Sequence, residues 1–277
     1  MNSNTEPESG CSKFRTIRLI LQFDGTDFCG WQMQDAERTV QGVLSEALQR
    51  LIGCPKITLH SSSRTDSGVH ALAMPVHFRT ESTLPLKAFV LGLNSLLPDD
   101  LRVLQAREMD PSFHARFSAR SKTYRYRIQN GRVAWPIERR YAWNVRPPLR
   151  SGPMREAAAS LVGRHDFSAF RAAYCDAASP VRTITACEVF EERAGLLVVR
   201  VTADGFLRNM VRILVGTLVQ VGLAKRPPEW VAEVLAARDR RLAGPTAPPQ
   251  GLFLERVEYA APYDGPGPVD PTREFVA

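Results

Sequence analysis

The spacing of apolar residues switches twice from a period of two to one near 3.6 and back, each time in the same order. Ile17, Leu19, Leu21 and Phe23 alternate along residues 14–23 and give a strand one apolar face. Asp24-Gly25-Thr26 ends it as a turn. Thr39 stands where a helix N-cap belongs, and Val40, Val43, Leu44, Ala47, Leu48 and Leu51 form a stripe that predicts a helix to about Gly53. Residues 56–60 and 74–78 read as strands on either side of a polar loop. Pro85 opens a second helix through Phe89, Leu93 and Leu96, which Pro98 stops, and residues 101–104 give a further strand. The order is β-α-β-β-α-β, the ferredoxin-like split arrangement.

The second half repeats it. Residues 123–128 alternate, with Tyr124 and Tyr126 on one face and Arg125 and Arg127 on the other. A helix is expected over 154–161 with Gly163 as its stop, then a hairpin of 183–191 and 196–203 turning at Gly195. Residues 206–223 form a helix too apolar for a surface position, interrupted by Arg208 and Arg212 at i, i+4. Pro227-Pro228 starts a short helix to about Arg238, and 252–257 is a last strand. The expected fold is therefore α+β: two ferredoxin-like or RRM-like halves whose antiparallel sheets join into one, with a cleft between them. We place the halves at 13–110 and 111–261, after a disordered lead at 1–12 and before a loose tail at 262–277. Only the order of elements supports a duplication; no sequence repeat does.

The polar loop, Ser63-Arg64-Thr65-Asp66-Ser67-Gly68-Val69-His70, has the residue types of a tight turn that presents a charge. Thr65 and Ser67 can hydrogen-bond their own backbone, and Gly68 tolerates a positive φ. Two readings are open on spacing alone: an acid fixed for chemistry, or a surface Arg64–Asp66 pair on an Asx-turn.

Charge narrows the partners. The net charge is +7, and residues 116–150 hold ten basic residues against one acid, Glu138. Arginine dominates that stretch, and Phe113, Phe117, Tyr124, Tyr126, Trp135, Tyr141 and Trp143 are interleaved with it. Guanidinium groups suit phosphate and rings suit unstacked bases, so RNA is the expected partner. No run of some 18 apolar residues predicts a membrane span. The five cysteines are scattered, with no CxxC or zinc spacing, which fits reduced thiols in a cytoplasm. His70, His77, His114 and His165 are too dispersed to read as ligands.

Arg64-Thr65-Asp66-Ser67-Gly68-Val69-His70-Ala71 resembles the central motif of the TruA family of tRNA pseudouridine synthases. Further blocks follow in family order: Asp24-Gly25-Thr26-Asp27-Phe28-Cys29-Gly30-Trp31-Gln32, Leu93-Asn94-Ser95-Leu96-Leu97-Pro98, Phe113-His114-Ala115-Arg116-Phe117-Ser118-Ala119, Thr123-Tyr124-Arg125-Tyr126, Gly163-Arg164-His165-Asp166-Phe167, Met210-Val211-Arg212 and Thr246-Ala247-Pro248-Pro249-Gln250-Gly251-Leu252. Ser63 stands where the family usually has glycine and Ser67 where it usually has alanine; both are small.

The resemblance implies isomerisation of uridine to pseudouridine in the anticodon stem-loop of tRNA, at positions 38, 39 and 40, by a homodimer that uses no cofactor and no metal. It implies that Asp66 is the carboxylate that acts on the nucleotide, as a nucleophile toward ribose or base or by removing a ribose proton, and that Arg212 pairs with it. Tyr124 would stack on the uracil or serve its proton transfer, Leu252 would close the pocket, and Arg64 would enter the space left by a flipped base. Phe113, His114, Ala115, Arg116 and Phe117, the segment Tyr174, Cys175, Asp176, Ala177 and Ala178, and Arg132 would contact tRNA. Two other classes stay open on the residues themselves. One is a non-catalytic RNA-binding protein of two RRM-like halves. The other is a nucleotide hydrolase, which would want a second carboxylate or a metal cluster.

Overall fold

The structure is a computed structural model that describes residues 14–263 except Tyr174 and Asp176. The lead expected at 1–12, and the tail beyond residue 263, lie outside the described residues.

The first half runs β1 (Arg15–Phe23), α1 (Val40–Ile52), β2 (His60–Ser61), β3 (His70–Thr80), α2 (Leu86–Leu96) and β4 (Leu101–Met109). Helix α1 begins and ends where the sequence marks it. The Thr39 hydroxyl accepts from the Gly42 N–H, and Gly53 closes the helix with φ +72° while its N–H donates to Gln49. Of the strand expected at 56–60 only His60 is paired, together with Ser61 beyond it. Leu59 is buried and Ile57 half-buried, so the alternation is satisfied by packing into the core without a ladder.

The second half runs β5 (Ala119–Asn130), β6 (Trp143–Val145), α3 (Ser151–Ala159), β7 (Gly163–Asp166), β8 (Val181–Arg193), β9 (Leu196–Ala203), α4 (Met210–Gly222), α5 (Trp230–Ala237) and β10 (Leu252–Tyr259). Gly163 does not stop α3. That helix ends at Ala159, where Ser160 caps it through a hydroxyl bond to the Ala157 carbonyl, and Gly163 opens β7. Helix α4 starts at Met210 rather than 206, because Asn209 takes a left-handed conformation, φ +59°. Arg208 therefore precedes the helix and does not share a helix face with Arg212.

All ten strands form one sheet, ordered β4-β1-β3-β10-β5-β9-β8-β7, with β2 on β3 and β6 on β5. Within β10-β5-β9-β8 the last strand of the half lies beside its first, then its third, then its second. The run β4-β1-β3 has the same order, with β2 paired to β3. The halves meet where β10 pairs β3 in parallel through Phe253↔His70 and Leu254↔Ala71. A continuous apolar core runs across that seam, and α4 is buried nearly all round, as its composition requires. Residues 244–247 lie flush on α4: a Cβ at Gly216 would sit 1.7 Å from the Pro245 carbonyl oxygen.

Candidate active site

The loop that carries Asp66, residues 62–69, is held by backbone bonds from its neighbours. Ser62 donates to Pro75 at 2.9 Å, the Thr65 carbonyl accepts from Trp31 at 3.1 Å, and Gly68 donates to Phe28 at 3.3 Å. The rings of Phe28 and Trp31 are buried, so the connection between β1 and α1 is anchored and passes its rigidity to the loop. The Val69 N–H closes back on the Asp66 carbonyl at 3.2 Å. The turn thus fixes the Asp66 backbone and leaves its carboxylate outward, 34% exposed.

Arg212 reaches that carboxylate from the other half. Its guanidinium lies 3.2 Å from Asp66 Oδ2, donates to Asn209 Oδ1 at 3.0 Å, and through Nε to the Ala247 carbonyl at 2.8 Å. The Ala247 N–H returns a bond to the Arg212 carbonyl at 3.0 Å. A cation in the first turn of a helix opposes the helix dipole by about 0.3–1 kcal/mol. The arginine is offset locally by two neutral oxygens and one acid, and its placement serves the acid rather than the helix. Arg64, by contrast, is exposed and makes no ion pair among the described residues. The surface Arg64–Asp66 pair is absent.

Tyr124, on β5, is 7% exposed and stands between Leu254 on β10 and Val201 on β9. Burial pushes its hydroxyl up to about 12; a hydrogen bond with the Ser63 side chain works the other way, and the Asp66 charge adds to the rise. The ring meets Phe206 edge-on at 5.0 Å. Tyr126, two residues on, is a core tyrosine that donates to the Pro248 carbonyl at 2.7 Å. Leu252 opens β10 opposite Tyr126 and is buried. Asp66, Arg212 and Tyr124 are therefore brought together from three separate elements, with Leu252 on the neighbouring strand.

A second polar group beside the loop escapes a sequence reading. The buried His70 ring accepts from the Gly25 N–H at Nδ1, 3.0 Å, and its Nε2 faces the Gln250 carbonyl at 3.1 Å. That pattern assigns the neutral Nε2–H tautomer, and burial, which lowers the ring's pKa, agrees. Asp24 Oδ1 lies 3.1 Å from Nδ1, a contact that is not a true ion pair while the ring is neutral. The Asp24 carboxylate takes the Thr26 N–H and hydroxyl and the Tyr141 hydroxyl at 2.8 Å; burial acts against ionisation, but these bonds outweigh it and the carboxyl titrates lower than usual. Tyr141 thus ties the second half to the β1 turn of the first. The only sequence signal was Asp24-Gly25-Thr26 itself; nothing marked Tyr141 as its partner.

The profile of a family described as "tRNA pseudouridine synthase" matches residues 19–118 and 157–260. The chain belongs to this family. A tRNA pseudouridine synthase A from Myxococcus xanthus is 47% identical over 250 residues, 90% of this chain and 93% of that protein. One from Pelobacter propionicus is 49% identical over 245 residues, 88% of this chain and 100% of that protein. A solved structure described as an H/ACA RNP bound to a substrate RNA containing 2′-deoxyuridine overlaps 74% of this chain and 44% of that one, with 10% identity and a TM-score of 0.36. The family profile takes in Asp66, Arg212 and Leu252; Tyr124 falls between its two matched segments.

Other positions singled out in this tRNA pseudouridine synthase divide by exposure. Arg116 and Phe117 are exposed, Phe117 at 74%, with the guanidinium 5.5 Å above the ring and the His114 ring 4.3 Å to its side. Phe113 and Ala115 are buried in a small cluster with Met109 and Tyr259, so they shape that segment from below. Arg132 is exposed in the bend that follows β5. Cys175 and Ala177 pack partly against the core, Ala178 lies beside them, and Tyr174 and Asp176 lie outside the described residues. Arg125 and Arg127 are not free for RNA. Arg127 pairs with Glu138 at 2.9 Å, both lie near Glu192, and Arg200 beside them pairs with Glu255 at 3.0 Å. Strands β8 and β10 supply acids that a count over 116–150 leaves out. Among the described residues no group of His, Cys, Asp and Glu is placed to hold a metal ion, and no helix is long and apolar enough to cross a membrane.

Proposed function

We propose that this enzyme, a uridine-to-pseudouridine isomerase of tRNA by its family, acts at positions 38, 39 and 40 of the anticodon stem-loop, as a homodimer in the cytoplasm. The observation that carries the mechanistic reading is the Asp66–Arg212 contact at 3.2 Å across the seam between the halves, beside the buried Tyr124.

The reaction breaks N1–C1′, turns the uracil and forms C5–C1′; a proton leaves C5 and N1 gains one. Nothing is oxidised and no group is lost, so the protein's own side chains suffice. Asp66 acts as the nucleophile on the nucleotide. The Arg212 guanidinium faces the carboxylate and balances its charge as a base closes over it. Tyr124 lies against the uracil and presents a protonated hydroxyl, since its titration near 12 is far above neutrality. Leu252 closes the apolar side. A base in a stem is stacked, so it is flipped out at a cost of a few kcal/mol, and the exposed Arg64 fills the gap. Arg116 and Phe117 offer a charge and a ring to the RNA outside the pocket, and Arg132 and residues 174–178 are further contacts to the tRNA.

The test is to incubate the protein with unmodified tRNA and map pseudouridine base by base. New pseudouridine at 38–40 with RNA mass unchanged is expected. Free uracil or a cut strand would mean a hydrolase instead, and modification elsewhere would overturn the site assignment.

A further inference from the structure

Lys122 lies two residues before Tyr124 on β5, on the same face of the strand. Its Nζ donates to the Ser62 carbonyl at 2.6 Å. The next loop residue, Ser63, has its side chain beside the Tyr124 hydroxyl. One face of β5 therefore meets two successive residues of the Asp66 loop and grips the first, whose N–H is bound to Pro75 on the far side. These contacts add to the backbone bonds with Trp31 and Phe28, while two of the loop's own hydroxyls, Ser62 Oγ and Thr65 Oγ1, are buried without a hydrogen-bond partner.

The surroundings of this lysine are unusual for a half-buried cation. No acid pairs with it among the described residues. Its neighbours across the sheet are Val257 on β10 and Ala203 on β9. The charges that bear on it are those of Arg116 and Arg182, and both repel it; with burial as the larger cause, its amine is brought down to about 8. Along β5 its neighbours are the exposed Arg120, at the strand's bulge, and the neutral Tyr124; the loop it touches adds Ser62, Ser63 and, further along, Asp66. Among the described residues none of these three cations pairs with an acid, beside a site that takes a polyanion. A phosphodiester is the chemistry that resolves this repulsion.

We propose that Lys122 is a positioning residue for the isomerisation: it holds the Asp66 loop through the Ser62 carbonyl and, with Arg116 and Arg182, receives a phosphodiester of the bound tRNA. The RNA backbone then does more than add affinity. It fills the gap among the three cations and thereby stiffens the limb that aims Asp66. The inference rests on the reading that the chain isomerises uridine in tRNA.

The experiment compares wild type with Lys122→Met and Lys122→Arg on unmodified tRNA, measuring kcat, tRNA Kd against salt, and the pH dependence of kcat/KM. Lys122→Met should lower kcat about 100-fold, the order expected for a displaced reacting group. It should reduce the slope of log Kd against log salt by about one, as for one lost phosphate contact. Lys122→Arg keeps a charged donor and should recover kcat to within about tenfold of wild type. Wild-type kcat/KM should fall above a limb near 8. That limb should vanish in Lys122→Arg, because a guanidinium does not titrate. A Met variant turning over within about threefold of wild type, an unchanged salt slope, or an Arg variant that keeps the limb would each overturn the proposal. If the Met variant does not fold, the Arg variant's turnover and pH profile decide alone. An inactive wild type would sink the functional reading, whereas an active wild type with an equally active Met variant sinks this inference only.

Discussion

The same connection occurs once in each half, and the two are built differently. In the second half, β8 and β9 are 13 and 8 residues long and join through Ala194 and Gly195 alone. In the first half, the corresponding β2 has only two residues, and residues 62–69 fill the space before β3. The first half gives up a ladder and gains a loop that can hold a charge. It also leaves the edge of β3 open at His70 and Ala71, where β10 docks. One shortened strand thus makes room for Asp66 and for the seam that brings Arg212 to it. A hairpin of full length would close both.

Several measurements would break or sharpen that contrast. Asp66→Asn should keep tRNA binding and lower turnover by on the order of 10^4-fold, as for loss of a nucleophile in a preassembled site; turnover near wild type would return the loop to a plain turn. Arg212→Met leaves a part-buried carboxylate without its cation. Since breaking such a pair costs about 3 kcal/mol, kcat should fall roughly 100-fold, and Arg212→Met should add little further loss to Asp66→Asn in the double variant.

Acid should weaken the first half before the second. His77 on β3 is buried, and burial, with the charges of His114 and His60 beside it, lowers its pKa from 6.5 to about 4. Between those values the unfolded chain takes up a proton that the folded chain refuses. Stability therefore falls as pH drops from 6.5 to 4, by up to about 3 kcal/mol. Urea midpoints across that range should show the fall, and His77→Phe should flatten it. Strand β9 carries no histidine, so hydrogen exchange in the β8–β9 ladder should respond less.

The smallest effect is the most direct comparison. Gly68 and Gly195 have φ of +75° and +76°. A Cβ at Gly68 would meet Pro249 Cγ at 3.0 Å, and one at Gly195 the Asn130 carbonyl at 3.3 Å. Alanine at either position should cost about 1–2 kcal/mol in thermal unfolding, but only Gly68→Ala should reduce kcat.

Much of this was legible along the chain where the signals are local. Thr39 and Gly53 bound a helix because capping is a matter of adjacent residues, and the alternation through Tyr124 and Tyr126 marks β5 whatever lies beside it. The motif order pointed to Asp66 and Arg212 although 145 residues intervene between them, and the structure puts them in contact. What failed was pairing between distant segments. Nothing in residues 56–60 says that β3 pairs with only the last of them, His60. The arginines of β5 look free until Glu192 and Glu255 arrive from other strands. Lys122 and Tyr141 carry no local mark at all, since each matters through one bond to a residue far away in sequence.

The guanidinium of Arg212 is clasped by the backbone of Ala247, and β10, which forms the seam, follows directly after. Asp66 is therefore synthesised early and completed late. On the ribosome, a nascent chain that already carries its carboxylate loop lacks both clasp and seam until nearly the last strand has emerged. A chain that stops short of β10 holds the carboxylate loop without the seam that sets it against its cation.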